Sequence, residues 1–469
     1  MHMTKTTASA AGSWRELGRD YGGATTVLAG GVAIYAINEF ITMSLLPSAV
    51  ADIGGERLYA WVTTVYLVSS VVAATTVGPV LTRFGPRWSY LGALLSFSAG
   101  SALCTLAPTM QLLLVGRVVQ GLAGGLLAGL GYAVISAALP DRLWTRASAV
   151  VSAMWGIGTL IGPTTGGLFA QFGSWRGGFA ALAILAMAMS LLVPIALPAR
   201  APSAGDDRAG PRIPVWSLVL LGLAALAVSA AAIPRNVVVT LGLLALGVVL
   251  VLAFVVVDRR VVAAVLPRSA FGPGPLKWIY ATLGLLMAAT MVDMYVPLFG
   301  QRLGGLTPVV AGFLGAALSV GWTVGEIASA SVTNIRATVR LVAAAPLVMA
   351  TGLMLAACSQ TDGATVGYVA VWAVALVIAG AGIGIAWPHL SAWAMGSVVD
   401  DPAEQAVAAA AINTVQLMCG AFGAGLAGVL VNLRDSADAN AAQWMFGVFA
   451  VFALVGVVAS YRSGRGQVR

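Results

Sequence analysis

The chain reads as an all-α protein that crosses a membrane many times, and three observations predict this. Hydrophobic residues make up 59% of its 469 residues and charged ones only 9%. Its mean hydropathy is +0.93, whereas about a quarter of the residues in a soluble domain are charged. Apolar runs of about 20 residues, long enough to cross a hydrocarbon core as helix, recur from end to end. In lipid the backbone must satisfy its own hydrogen bonds, which leaves helices as the spanning form for such runs.

Fourteen spans are predicted, at 25–48, 58–81, 88–107, 111–139, 147–170, 177–197, 214–233, 236–257, 276–298, 307–330, 338–357, 366–389, 404–431 and 442–462. A polar segment, 1–24, precedes them. Its Arg15, Glu16, Arg19 and Asp20 do not form the basic start, short apolar core and small-residue cleavage site of a signal peptide. Spans one to six make a first unit, 25–197. The segment 198–213, rich in Pro, Ala, Gly and charge, reads as a linker. Residues 214–257 form a pair of spans free of intramembrane charge, an insertion with a peripheral role. A loop, 258–275, leads to a second six-span unit, 276–462, and a tail, 463–469. The long runs at spans four and thirteen exceed the hydrocarbon thickness, so they tilt or extend beyond it.

Basic residues orient these spans. Of the 25 Lys and Arg, Arg117 lies within a span, and nineteen fall in segments on the side of the two termini. Only Arg57, Arg176, Arg235, Arg302 and Arg434 fall on the other side. That bias predicts both termini in the cytoplasm and an even number of spans. The net charge of +8 is thus a topology signal, not a nucleic-acid surface. Arg greatly outnumbers Lys (Lys5 and Lys277 only), which points to a GC-rich bacterial genome. The two units also echo each other. Pro47 precedes Gly54-Gly55 as Pro297 precedes Gly304-Gly305, an offset of 250 that suggests parallel repeats.

Charges inside the membrane are costly and mark function by default. Glu39 lies in mid-span one, with Tyr35 one turn away on the same face and Asn38 beside it. A low dielectric discourages the charged form of a carboxyl, so Glu39 can exchange a proton or meet a cationic substrate. Asp293 in span nine is too short to snorkel and takes the same candidate role. Glu326, near the inner end of span ten, is a third candidate, although it could simply reach the cytoplasm. Arg117 in span four has Gln120 one turn on; a buried guanidinium needs a carboxylate or several acceptors. Trp155, Asn413 and Gln416 add candidate cavity groups, and Tyr66, Tyr295 and Trp322 candidate aromatic wall. Met287, Met291 and Met294 form a stripe that reads as packing.

Gly158, Gly162 and Gly166 recur every fourth position of span five, a groove that admits a second helix closely. The adjoining Pro163 and Gly167 make this surface more particular. It resembles the antiporter motif in the fifth helix of major facilitator superfamily exporters. Arg117-x-x-Gln120-Gly121 resembles the fourth-helix motif of proton-coupled members, which implies a part for Arg117 in coupling. Gly78 to Arg87, with Arg83 and Gly85, resembles the superfamily's cytoplasmic loop motif, but Thr82 stands where the family has an aspartate. Arg83 and Arg87 could instead pair with Asp400, Asp401 and Glu404 as a latch between halves, where Asp401-Pro402 has the form of a helix start. Ser174-Trp175-Arg176 resembles the fourteen-span drug:proton antiporter branch. That branch has an aspartate shortly before the Leu-Pro of span one, where Asn38 and Glu39 stand here.

The resemblance implies the major facilitator fold with two inserted helices, and a bacterial cytoplasmic-membrane exporter of small amphipathic compounds. Its energy source would be the proton gradient, with no cofactor. Protons and membrane lipids are its expected partners, nucleic acid is not, and a monomer is expected. Uptake, or movement of an endogenous lipid or metabolite, stays open. A receptor or scaffold would need a folded extramembrane domain, and an enzyme a constellation of nucleophile and base; neither is visible. The three cysteines lack metal-ligand spacing.

Overall fold

The structure, a computed structural model, describes residues 13–199, 213–332, 334–397, 402–433 and 438–468. Every element among the described residues is helical: α1 (Trp14–Asp20), α2 (Gly22–Ile53), α3 (Tyr59–Ala74), α4 (Val77–Thr105), α5 (Met110–Ala133), α6 (Ile135–Ala138), α7 (Trp144–Phe172), α8 (Trp175–Ala196), α9 (Val215–Ala230), α10 (Val237–Asp258), α11 (Leu276–Thr290), α12 (Val296–Gly304), α13 (Pro308–Ala330), α14 (Ile335–Ser359), α15 (Val366–Gly396), α16 (Pro402–Asn432) and α17 (Ala439–Val468), with short 3-10 turns between some of them. Twelve helical segments are long and apolar enough to cross a membrane. Helices also stand at the two other predicted spans. One is α4; the other, α9, has 16 residues and rises only about 24 Å, short of a 30 Å hydrocarbon core.

Four predicted boundaries need correction. Span two, placed at 58–81, ends as α3 at Ala74. After a two-residue turn, Val77–Phe84 opens the next helix, which bends at Gly85 (φ 74°, ψ 171°). That left-handed backbone suits only glycine, and Pro86 restarts the helix beyond it. Span four does not run on to residue 139: it ends at Ala133, and Ile135–Ala138 is a separate turn. Span nine is not one helix. It breaks into a 3-10 turn at Met291–Tyr295 and resumes to Gly304. Span seven is shorter than 214–233.

Contacts between helix ends define two faces. Arg142 donates to Glu16 at 3.0 Å through Nε, and Arg87 Nε to the Leu197 carbonyl at 3.0 Å; these lie on what we call the Glu16 face. On the other, the Glu56 face, Arg176 pairs with Asp52 and Arg302 with Glu56. Helices α2 to α8 pack mainly on one another, as do α11 to α17, and the two groups meet along α2, α3 and α7 against α13 and α16.

The insertion is fastened at both ends. Asp258, closing α10, is buried and accepts from Ser217 Oγ (2.6 Å) at the start of α9 and from the backbone N–H of Val265 and Leu266. Toward the Glu56 face, Ser229 Oγ of α9 bonds Thr64 of α3 (2.8 Å), and Trp61 Nε1 donates to the Ser229 carbonyl. Asn432 of α16 donates to the carbonyls of both Arg57 and Ala232. Helix α9 is therefore wedged against both groups, and α10, packed on α9, presents a largely exposed apolar surface suited to lipid.

Candidate functional site

Glycines bring α5 close enough to its neighbours to bury a charge. A Cβ on Gly116 would sit 3.0 Å from the Cys104 N and the Gly100 O of α4, and one on Gly125 would overlap the Ser70 carbonyl of α3. Seated in that groove, Arg117 is 1% exposed. Its Nη1 donates to Gln120 Oε1 (2.9 Å), Asn38 Oδ1 (3.1 Å) and Thr42 Oγ1 (3.2 Å), and its Nε to the Val62 carbonyl (3.1 Å). Its guanidinium carbon lies 4.1 Å from the centre of the Tyr66 ring. Gln120 in turn donates to Ser101 at 2.8 Å. Of the two ways to satisfy this guanidinium, the structure uses the second: neutral acceptors from α2, α3 and α5, with no carboxylate among the described residues in an ion pair with it. A buried guanidinium forfeits several kcal/mol of hydration, so these acceptors hold three helices in register around it.

The carboxylates are treated differently. Asp293 is 6% exposed, and its Oδ1 has no hydrogen-bond partner. It sits in the 3-10 break of span nine. Glu39 is half-buried on α2 and makes no hydrogen bond or ion pair among the described residues. Its neighbour Tyr35 is buried between Tyr66 (ring centres 5.6 Å apart) and Trp155 (5.4 Å, edge-on). The break is secured from the other group: Tyr59 Oη donates to the Met294 carbonyl (3.1 Å), and Tyr59 stacks on Tyr295 at 4.7 Å. A broken helix frees backbone carbonyls that need partners, and Tyr59 supplies one.

A family model described as Major Facilitator Superfamily matches residues 28–424. The chain belongs to the major facilitator superfamily. Two relatives from strains of Mycobacterium tuberculosis, each named a "Probable multidrug-efflux transporter", are 61% identical to it over 464 residues, 98% of this chain and of each relative. Multidrug resistance protein 3 of Bacillus subtilis is 26% identical over 380 residues, covering 78% of this chain and 72% of its own. Among solved structures, a D-xylose–proton symporter matches with a TM-score of 0.65 at 16% identity over 93% of this chain and 97% of its own. A bacterial homologue of the human lysosomal transporter Spinster, in an inward-facing and occupied conformation, matches with 0.65 at 12% over 97% and 98%. Those two likenesses concern the fold alone. This superfamily member is a transporter and not an enzyme, a multi-pass protein of the cytoplasmic membrane.

Within this superfamily fold, the span-five glycines lie mainly against their own group. Gly158, Gly162 and Gly166 face Ala36, Phe40, Ile41 and Ser44 of α2, while Gly167 meets Val309, and the Pro163 carbonyl lies 2.9 Å from where a Cβ of Gly312 in α13 would sit. The helix runs on through Pro163. Glu326 is half-buried and accepts from Trp322 Nε1 at 3.1 Å. Asn413 is exposed and Gln416 half-buried, and neither hydrogen-bonds among the described residues. In the loop motif, Gly78 and Pro79 carbonyls accept from Thr82, Arg83 lies over Phe84, Gly85 forms the bend, and Arg87 holds the Leu197 carbonyl. Glu404 accepts from the Ser269 N–H at 2.8 Å; Asp400 and Asp401 lie outside the described residues. Sequence reasoning missed Thr42 and Tyr59, whose hydroxyls carry no signal apart from a partner in space, and Asp258, at the edge of a span.

Proposed function

We propose that the chain is a proton-coupled exporter that moves small amphipathic compounds out of the cell, with fourteen spans and both termini in the cytoplasm. The Glu16 face is then cytoplasmic, as its basic loops suggest. The observation that carries this reading is a pair of midspan carboxylates, Glu39 from one half and Asp293 from the other, neither of them in an ion pair among the described residues. Arg117 hydrogen-bonds to neutral acceptors and forms no ion pair with either carboxylate among the described residues. Protonation of either carboxyl would change the charge met by a substrate, which is what exchange of proton for cargo requires. The kinship with the mycobacterial efflux transporters supports the direction and the class of cargo.

Among the described residues, every hydrogen bond and ion pair joining the two halves lies toward the Glu56 face: Arg302 with Glu56, Tyr59 with Met294, Val309 with Gln171 and Asn432 with Arg57. This pattern fits a cytoplasm-open state of a rocking, alternating-access cycle. In it, Gly158 to Gly167 serves as a seal on the outer side. Arg83 and Arg87 would latch to Asp400 and Asp401 when the inner side closes. The protein works as a monomer among membrane lipids, on the proton gradient alone.

Reconstitution into vesicles with an imposed pH gradient tests this. Dye movement coupled to proton flux is expected, lost in Glu39→Gln or Asp293→Asn. Absence of proton flux with every substrate tried would defeat the coupling; retained coupling in both variants would defeat the site. Charge reversal at Asp400 and Asp401 that leaves transport unchanged would remove the latch.

A further inference from the structure

A cavity of about 110 Å³ opens on the Glu56 face, where the two halves and the inserted pair of helices meet. One water needs roughly 10–15 Å³, so the space admits several waters or one compact polyatomic group. Its floor is buried and includes Leu298, Tyr59 and Tyr295. Its rim is cationic. Arg57 comes from the turn after α2, Arg235 from the link between α9 and α10, and Arg302 from α12. The first half, the insertion and the second half thus give one guanidinium each. Glu56 is the one carboxylate among the described residues that line the cavity. Arg57 Nη1 donates to the Ile233 carbonyl (2.6 Å), and Asn432 holds the Arg57 and Ala232 carbonyls, so the rim is fixed in shape. Arg302 pairs with Glu56 at 2.7 Å, and both are exposed. On the floor, Tyr295 is 1% exposed and its hydroxyl has no hydrogen-bond partner among the described residues. Tyr59, stacked beside it, gives its own hydroxyl to the Met294 carbonyl. A buried hydroxyl without a partner costs about 1–3 kcal/mol, which a bound acceptor would recover.

We infer that this cavity binds a phosphate group, borne by a free oxyanion or by a lipid headgroup, and that the bound group ties the two halves together on the Glu56 face. Guanidinium forks match phosphate oxygens two at a time, which an ammonium cannot do. Among the lining residues three cations stand against one carboxylate, and a floor of buried apolar and aromatic side chains strengthens their pull relative to open water. The Tyr295 hydroxyl is the donor at the base, and phosphate brings the acceptor oxygens it lacks. Because the lining comes from both halves, separating them dismantles the site. The ligand therefore binds only while this face is closed, and its binding favours that state. The inference rests on the fold and holds whatever the direction or coupling of transport.

The test is the thermal midpoint of the purified full chain in maltoside detergent, titrated with sodium phosphate while sodium chloride holds the ionic strength constant. A ligand that binds only the folded chain raises the midpoint, and the titration gives an apparent Kd. Each variant is read against its own ligand-free midpoint. Wild type should show a rise that saturates. Arg235→Gln and Arg302→Gln should each weaken the apparent Kd about tenfold. Tyr295→Phe, which keeps the ring on Tyr59, should weaken it about threefold. Glu56→Gln should tighten it about threefold, because it removes the carboxylate that competes for Arg302. Arg176→Gln, on the same face but outside the lining, should leave it unchanged. Titration with dihexanoyl phosphatidylglycerol then separates the sources. A tighter Kd than that of inorganic phosphate, weakened in the same variants, makes this a headgroup site; a looser one makes it a site for a free oxyanion. A rise that does not saturate overturns the cavity site. So does an affinity that Arg235→Gln, Arg302→Gln and Tyr295→Phe leave unchanged, or an equal loss in Arg176→Gln.

Discussion

Arg117 and Asp293 are both ionisable side chains buried in the middle of the protein, one in each half, and their surroundings are opposite. Around Arg117, α4 and α5 approach through Gly100 and Gly116, and three helices offer the guanidinium four acceptors, three of them side chains. Around Asp293 the helix itself gives way into a 3-10 turn, and one carboxyl oxygen is left unpartnered. The first arrangement is built to stay as it is, because each acceptor stranded by a move costs about 1–3 kcal/mol. The second has less to lose on changing, which is what a group that trades protons or partners needs. A charge held by many neutral groups is scaffold; a charge held by few is available for work.

The largest effect that could break this comparison is on stability at Arg117. Arg117→Ala should cost about 1–3 kcal/mol for each buried acceptor it strands, seen as a fall in the thermal midpoint in detergent and in folded yield. Arg117→Lys should recover little, since an ammonium cannot reproduce the forked contacts. An unaltered midpoint in the alanine variant would remove the scaffold reading. The seams come next. Gly125→Ala in the first half and Gly384→Ala in the second should each cost roughly 1–3 kcal/mol by overpacking, because both place a Cβ on a backbone carbonyl. A clear difference between them would show that the halves are not held alike. Asp293→Asn should shift stability by under about 1 kcal/mol, the range of changes that strand no partner, yet lower proton-driven transport roughly a hundredfold. The reverse outcome, unfolding with transport per folded molecule intact, would make Asp293 structural.

The smallest effect lies outside the membrane. The Arg142 hydrogen bond holds the Glu16 carboxyl below the usual carboxylate range. A carboxyl lowered in the folded state adds stability that is present above its unfolded value and fades as pH falls through the folded one. Glu16→Gln should therefore match wild type in acid and trail it only slightly at neutral pH, since exposed pairs contribute little. A difference that grew toward acid would reverse the sign.

Much of the helical plan and the charged residues were legible in sequence. Apolar length marks a span whatever its tertiary neighbours, and an ionised group within a span stands out for the same reason. What stayed hidden depends on contacts between helices. The break at Met291–Tyr295 has no internal proline or glycine to announce it and is held by Tyr59 from the other half. Thr42 is one apolar-span threonine among many until Arg117 reaches it. The glycines of α13 and α15 were visible as composition, but their pairing required both helices in place. Span five was the opposite case: its spacing suggested a groove, and the helix that fills it proved to be α2 of the same half.

Asp258 has a further consequence. One carboxylate accepts from Ser217, at the entry to the inserted pair, and from Val265 and Leu266, just past its exit. The chain thus leaves the first half and rejoins the path to the second almost where it departed. The pair of helices behaves as a loop of thread drawn closed at its neck by a single side chain.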